Sequence, residues 1–201
     1  MTKEDIVKQS LQQFLLHGIR KITIQQIIAC MGISTKTVYK YFKSKEELLE
    51  ACLTMHYQGF KLTLDEYIQQ DLNPVMMFLN LFQNSLEEDF KAAPVFYHDL
   101  NYYYPNLQDK IQAKELSGYG TYMLQSLNKG IEQGFIIPGI NPPVVLHTFN
   151  ILYRSITRSN EYIKYDLSPF ELAANSITVY LRGICTTEGL RILNSIKSPL
   201  L

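Results

Sequence analysis

The chain of 201 residues is 46% apolar, with 14 tyrosines and no tryptophan, enough to bury the core of one large domain or two small ones. No apolar run approaches the ~20 residues that span a bilayer, and the opening MTKEDIVKQS is charged too early for a signal peptide. Formal charge is zero, yet residues 1–52 carry eight Lys or Arg against five Asp or Glu, and the remainder 11 against 14. A basic head on an acidic body places any polyanion contact at the N-terminal end.

In chain order, Thr2 with Asp5 opens a first helix whose buried stripe is Ile6, Ser10, Leu11, Phe14 and Leu15. Gly18 ends it, with His17 as a C-terminal helix cap. Thr23 and Gln26 form a capping box, flanked by Ile22 and Ile27 as a hydrophobic staple. Met31-Gly32-Ile33 supplies the tight glycine turn. Ser34 caps a second short helix, and Ser44 with Glu47 starts a third. Two short helices across a glycine turn make a helix-turn-helix. Helical spacing buries Ile24, Ile27, Ile28, Met31, Ile33, Val38 and Phe42. Thr35, Lys36, Thr37, Tyr39, Lys40 and Tyr41 are left outside, with donors, cations and hydroxyls suited to phosphates and base edges. From Arg20 to Lys45 there are six basic residues and no acid.

This stretch resembles the DNA-binding domain of the TetR family of transcriptional regulators. The matching residues are Thr23-Ile24, Ile27, Gly32-Ile33-Ser34, Thr37-Val38-Tyr39, Tyr41-Phe42 and Ser44-Lys45-Glu46-Glu47-Leu48. Ile28 stands where the family usually has a small Ala. The resemblance implies a DNA-binding set of Thr23, Gln25, Ser34, Thr35, Lys36, Thr37, Tyr39, Lys40, Tyr41 and Lys45. Thr35, Lys36, Lys40 and Tyr41 would lie nearest the bases, and Lys45 would hold a phosphate at its helix N-terminus. It also implies two domains, 1–48 for DNA and 49–201 for ligand binding and dimerisation.

The helix from Ser44 keeps its spacing through Leu48, Leu49, Cys52, Leu53, His56, Phe60, Leu64, Tyr67 and Ile68. At 1.5 Å per residue its roughly 27 residues make a rod on the order of 40 Å, with Gly59 at its middle. Asn73-Pro74 opens the next helix to about Phe90. Ala93-Pro94 opens a shorter one, closed by Pro105. One helix is expected from Asn106 to about Gly134. Two glycines and three prolines between Gly134 and Pro143 interrupt it. Two long helices follow, over about 143–165 and 168–194. The first is capped by Asn141 and carries Val145, Phe149, Leu152, Ile156 and Ile163. The second is opened by the capping box of Ser168 and Glu171. The fold class is all-α, about nine helices: a three-helix head and a larger helical domain.

By the same resemblance the last two helices pair with their twofold mates through Phe149, Ile156, Ala173, Ala174, Ile177, Leu181 and Ile184. The body is rich in aromatic and Met residues. A pocket of Phe60, Phe78, Phe82, Phe96, His98, Tyr102, Tyr119, Tyr122, Met123, Phe149 and Tyr153 would suit a small hydrophobic or aromatic effector. The expected partners are a palindromic operator in double-stranded DNA, a second copy of the chain and that effector. No cofactor, metal or membrane partner is implied. Cys30, Cys52 and Cys185 fit neither a disulfide framework nor a zinc pattern and suit a cytoplasmic protein. An enzyme would need a nucleophile–base pair or a cofactor motif, and none is written here. The alternatives are a DNA-binding regulator without a ligand and, further off, an enzyme with an unrecognised site.

Overall fold

The computed structural model of the protein describes residues 1–159 and 161–201, apart from the side chains of Lys91, Pro94 and Ile163. Ile163, expected on an apolar stripe, thus lies outside the described side chains. In chain order the helices are α1 (Lys3–His17), α2 (Ile24–Met31), α3 (Thr35–Tyr39), α4 (Lys45–Gln69), α5 (Pro74–Lys91) and α6 (Pro94–Tyr103). Then come α7 (Pro105–Glu115), α8 (Tyr119–Glu132), α9 (Pro142–Thr157), α10 (Pro169–Ala173), α11 (Val179–Ile184) and α12 (Thr187–Ser195). The β structure among the described residues is one isolated antiparallel bridge, Ile136 with Cys185. Contacts divide the chain into two units, Met1–Thr63 with Phe90–Ser117, and Leu64–Asp89 with Gly118–Leu201.

In the first unit the local starts form as the caps dictate. Thr2 and Asp5 make a reciprocal box on α1, and Thr23 and Gln26 make one on α2. Gly32 ends α2 in the left-handed region, at φ 64°. At α4 the Ser44 hydroxyl accepts the Glu47 N–H at 3.1 Å, but the Glu47 carboxylate takes the N–H of Lys43, at 2.7 Å. α3 has five residues, too few to hold a helix alone. Its cap is worth about 1 kcal/mol. Burial of Val38 and Phe42 adds about 1.5–3 kcal/mol each, so the core rather than propensity keeps α3 in place. That core joins Ile6, Phe14, Ile27, Val38, Phe42, Leu49 and Leu53 to Phe96, Leu100 and Ile111 of α6 and α7.

α6 seats on the end of α1. The Ala93 N–H donates to the Leu15 carbonyl at 2.7 Å. The α4–α7 seam is polar instead: the Tyr57 hydroxyl accepts from the amides of Gln108 (3.1 Å) and Gln112 (2.9 Å).

In the second unit Asn73 caps α5 through the Val75 N–H at 2.9 Å, and Asn141 caps α9 through the Val144 N–H at 3.2 Å. Three expected helices end early. The helix expected over Asn106–Gly134 is broken into α7 and α8, because Gly118 takes φ 86°, which no helix interior has. The helix expected over 143–165 stops at Thr157. Hydroxyls of Ser155, Thr157 and Ser159 bond the carbonyls of Leu152, Tyr153 and Ser155 at 2.7–3.0 Å and compete with the ladder.

The helix expected over 168–194 becomes α10, a π turn at Ala174–Thr178, α11 and α12. Asn175 and Ser176 side chains take the Glu171 and Leu172 carbonyls at 2.8 and 2.6 Å, which loosens the ladder there. At Cys185 the backbone turns extended to bridge Ile136, and Thr186 caps α12 through the Gly189 N–H at 3.2 Å.

Candidate functional site

On α3, successive residues turn by about 100°, so Thr35, Lys36, Tyr39 and Lys40 share an arc of about 140° facing away from Val38. All four are exposed, and Val38 is fully buried. These four the fold brings together on one outward face. Thr37 is turned back into the cap: its N–H donates to the Ser34 hydroxyl at 3.2 Å, and the two hydroxyls lie 2.9 Å apart. Tyr41 is half-buried, with the Lys40 ammonium 5.4 Å above its ring. Thr23 uses its hydroxyl within the α2 cap, accepting the Gln26 N–H at 3.2 Å, and Gln25 beside it is exposed.

Lys45 sits differently from its neighbours. It is half-buried, its ammonium lies 6.0 Å from the centre of the Phe14 ring, and it donates to the Arg20 carbonyl at 3.5 Å. Burial lowers its pKa, the Asp99 carboxylate opposes that shift, and the Arg20 charge adds to it. Sequence reasoning counted Arg20 only as one cation of the belt. Its guanidinium stacks on Tyr103 at 4.3 Å and donates to the Tyr103 hydroxyl at 2.6 Å. Its N–H donates to Asp99 at 2.8 Å. Partners 79 and 83 residues away leave no local sequence signal.

The aromatic residues divide between the units. In the second, Phe78, Phe82, Phe149 and Tyr153 form a chain of rings with centroids 5.2–6.5 Å apart. Tyr180, which the sequence reading did not include, joins Phe149 at 4.9 Å. The Tyr153 hydroxyl donates to Asp89 at 2.6 Å. Met123 is buried, Tyr122 half-buried, and burial raises the pKa of the Tyr119 hydroxyl. In the first unit, half-buried Phe60 lies on α4, and Phe96 packs against Tyr97 and His56. His98 and Tyr102 lie on the surface with parallel rings, Tyr102 being 72% exposed.

Of the residues expected at a dimer contact, Phe149, Ile156, Ala173, Ile177, Leu181 and Ile184 are all buried within the single chain, and Ala174 is half-buried. The same helices turn Val144, Ile151 and Val179 outward, each more than half exposed. Among the described residues no helix is long and apolar enough to cross a membrane, and no three His, Cys, Asp or Glu gather as metal ligands.

Residues 6–52 match the profile described as "Bacterial regulatory proteins, tetR family". Over 71 residues the chain is 41% identical to the uncharacterized HTH-type transcriptional regulator YerO of Bacillus subtilis (strain 168), covering 35% of this chain and 24% of that protein. The match therefore spans about a quarter of that relative's length. The chain is 24% identical over 151 residues to the HTH-type transcriptional repressor KstR2 of Mycobacterium tuberculosis, covering 70% and 72% of the two. Its fold is similar to the structure of KstR2, a ketosteroid transcriptional regulator, at TM-score 0.61, 20% identity and 91% and 94% coverage. It is likewise similar to the regulator FadR of Bacillus subtilis in complex with stearoyl-CoA, at TM-score 0.70, 18% identity and 91% and 100% coverage. These relatives are regulators of transcription, and residues 6–52, which hold the helix-turn-helix, are similar to the tetR family of bacterial regulatory proteins.

Proposed function

We propose that the protein is a cytoplasmic, ligand-responsive repressor that binds a palindromic operator as a homodimer and is released by a small hydrophobic or aromatic molecule. Residues 1–48 are the DNA-binding domain and 49–201 the ligand-binding and dimerisation domain. The observation that carries the reading is the outward arc of Thr35, Lys36, Tyr39 and Lys40, all exposed on a helix whose other face is core. Lys36 and Lys40 offer bidentate or point contacts to guanine edges, while Gln25, Thr37 and Tyr39 suit phosphate. One small head reads only a few base pairs, so specificity requires two, a helical turn or a multiple apart.

We assign the dimer contact to the outward faces of α9 and α11, at Val144, Ile151 and Val179, backed by the buried residues beneath them. The effector site is assigned to the second unit, around Phe78, Phe82, Phe149 and Tyr153. A steroid and a long acyl chain, named with two of the relatives, are both largely apolar and favour an aromatic-lined site. The effector must bind the DNA-free arrangement better than the DNA-bound one, since equal affinity shifts nothing.

The experiment is fluorescence anisotropy with the duplex upstream of the protein's own coding region. Lys36→Ala should change sequence preference by about 1–3 kcal/mol at one position of each half-site. Ile151→Asp with Val179→Asp should give monomers in sedimentation and abolish operator binding. Wild-type protein showing no preference for any duplex, or sedimenting as a monomer at micromolar concentration, would refute the reading. Phe82→Ala should lose the response to an acyl or steroid effector while keeping operator affinity.

A further inference from the structure

The basic belt Arg20–Lys45 contains no acid in its own sequence, and α6 brings one to it. Asp99 is only 5% exposed, and its Oδ2 accepts the Arg20 N–H at 2.8 Å. Arg20 is held at two further points. Its guanidinium is stacked on Tyr103 and bonded to the Tyr103 hydroxyl, and its carbonyl accepts from the Lys45 ammonium at 3.5 Å. The seat is shaped for this approach. A Cβ on Gly18 would stand 2.9 Å from Val95 Cγ2 and 3.0 Å from Asp99 Oδ2, and Gly18 itself takes φ 83°. Two of the belt's six cations are thus engaged by, or through, α6.

We infer that Asp99 is a positioning residue and an internal rival of DNA phosphate: acting through Arg20 it keeps Lys45 turned inward and offsets its charge. The seating of α6 on the α1–α2 corner then sets how strongly the N-terminus of α4 holds a phosphate. This rests on the DNA-binding reading and adds a regulatory element to it. The physical basis is that a buried carboxylate is screened far less by water and salt than the exposed acids at Glu46 and Glu47. A phosphate arriving at α4 must compete with that fixed negative charge and with the Arg20 carbonyl for one ammonium. Withdrawal of α6 would release Lys45 and the Arg20 guanidinium together.

A purely structural staple and an electrostatic rival are separated by Asp99→Asn, which keeps an acceptor for the Arg20 N–H and removes the charge. Wild type and Asp99→Asn are titrated by anisotropy against a mixed-sequence duplex of about three helical turns over a range of salt. The variant should bind several-fold more tightly at low salt. Its slope of log K against log salt should steepen by about one per head, near the 0.9 expected for each added phosphate contact. In a Lys45→Ala background the same change should have no effect. If Asp99→Asn loses its helical circular dichroism, Asp99→Ser, with a neutral hydroxyl acceptor, is read by the same criteria. Wild-type affinity and slope in the neutral variant would overturn the inference, as would a gain that persists without Lys45. Wild-type protein with no salt-dependent binding to any duplex would remove the DNA-binding reading and this inference with it.

Discussion

Gly189 on α12 offers a sharp test of the packing of the second unit. A Cβ there would stand 2.1 Å from the Phe135 carbonyl oxygen and 3.1 Å from Cys185 Cβ. That oxygen accepts the Thr186 N–H at 3.0 Å, and the Thr186 hydroxyl donates to the neighbouring Gly134 carbonyl at 2.6 Å, so the Gly134–Phe135 backbone cannot retreat freely. Overpacking costs about 1–3 kcal/mol, and losing the Thr186 bond about 1 kcal/mol more. The better helix propensity of Ala returns up to ~1 kcal/mol. Gly189→Ala should therefore destabilise by about 1–3 kcal/mol. Gly59 is the control: it is exposed in the interior of α4, and a Cβ there meets nothing within 4 Å. Gly59→Ala should stabilise by up to ~1 kcal/mol. Equilibrium urea denaturation at one fixed protein concentration measures both, so that the proposed dimerisation enters each measurement alike. A Gly189→Ala protein as stable as wild type, or a Gly59→Ala protein less stable, would refute this account of the two sites.

The thiols should separate cleanly. Cys30 is exposed, burial pushes Cys52 up, and burial pushes Cys185 up to about 11 against the opposing charge of Arg182. At about pH 8 the native protein should take up one equivalent of a thiol reagent, at Cys30, and three in urea; two or more under native conditions would contradict the burial. The helix caps should show in acid. Glu171 is held below its ordinary 4.5 by the Ser168 hydroxyl and then its N–H, and Asp5 below 3.8 by Thr2. A depressed carboxylate contributes stability that is present above its ordinary value and lost as pH falls through the folded one. The stability difference between wild type and Ser168→Ala should accordingly shrink below pH 4.5, and a difference that grows in acid would show the sign to be wrong.

Helix starts were legible in the sequence because a cap is a local object. Thr2, Thr23, Ser34, Asn73, Asn141 and Ser168 each satisfy an N–H two or three residues on, and each opens a helix where expected. Helix ends were less legible, for nonlocal reasons. Nothing near residue 185 announces a stop, because the stop comes from Ile136, whose chain pairs with Cys185 across about fifty residues. Gly118 breaks a helix where Gly59 does not, because Gly118 takes a positive φ while Gly59 stays within α4. The outward arc of α3 was legible too, since Val38 and Phe42 fix which face is core.

Periodicity says that a face is buried and is silent about what buries it. The stripe Ala173, Ile177, Leu181 and Ile184 is apolar at helical spacing, which fits a partner chain and the chain's own core equally well. In the folded chain those residues are already covered, and the apolar groups left exposed on the same helices are Val144, Ile151 and Val179. The same logic hid Asp99. Read along the sequence, Arg20 to Lys45 is purely basic, and a purely basic stretch predicts a free set of cations for phosphate. Folding places a buried carboxylate from 79 residues away on the Arg20 N–H, beside the half-buried Lys45. The electrostatic character of the proposed DNA-binding face is therefore a property of every helix packed against it, and here α6 contributes a buried negative charge that the stretch from Arg20 to Lys45 leaves out.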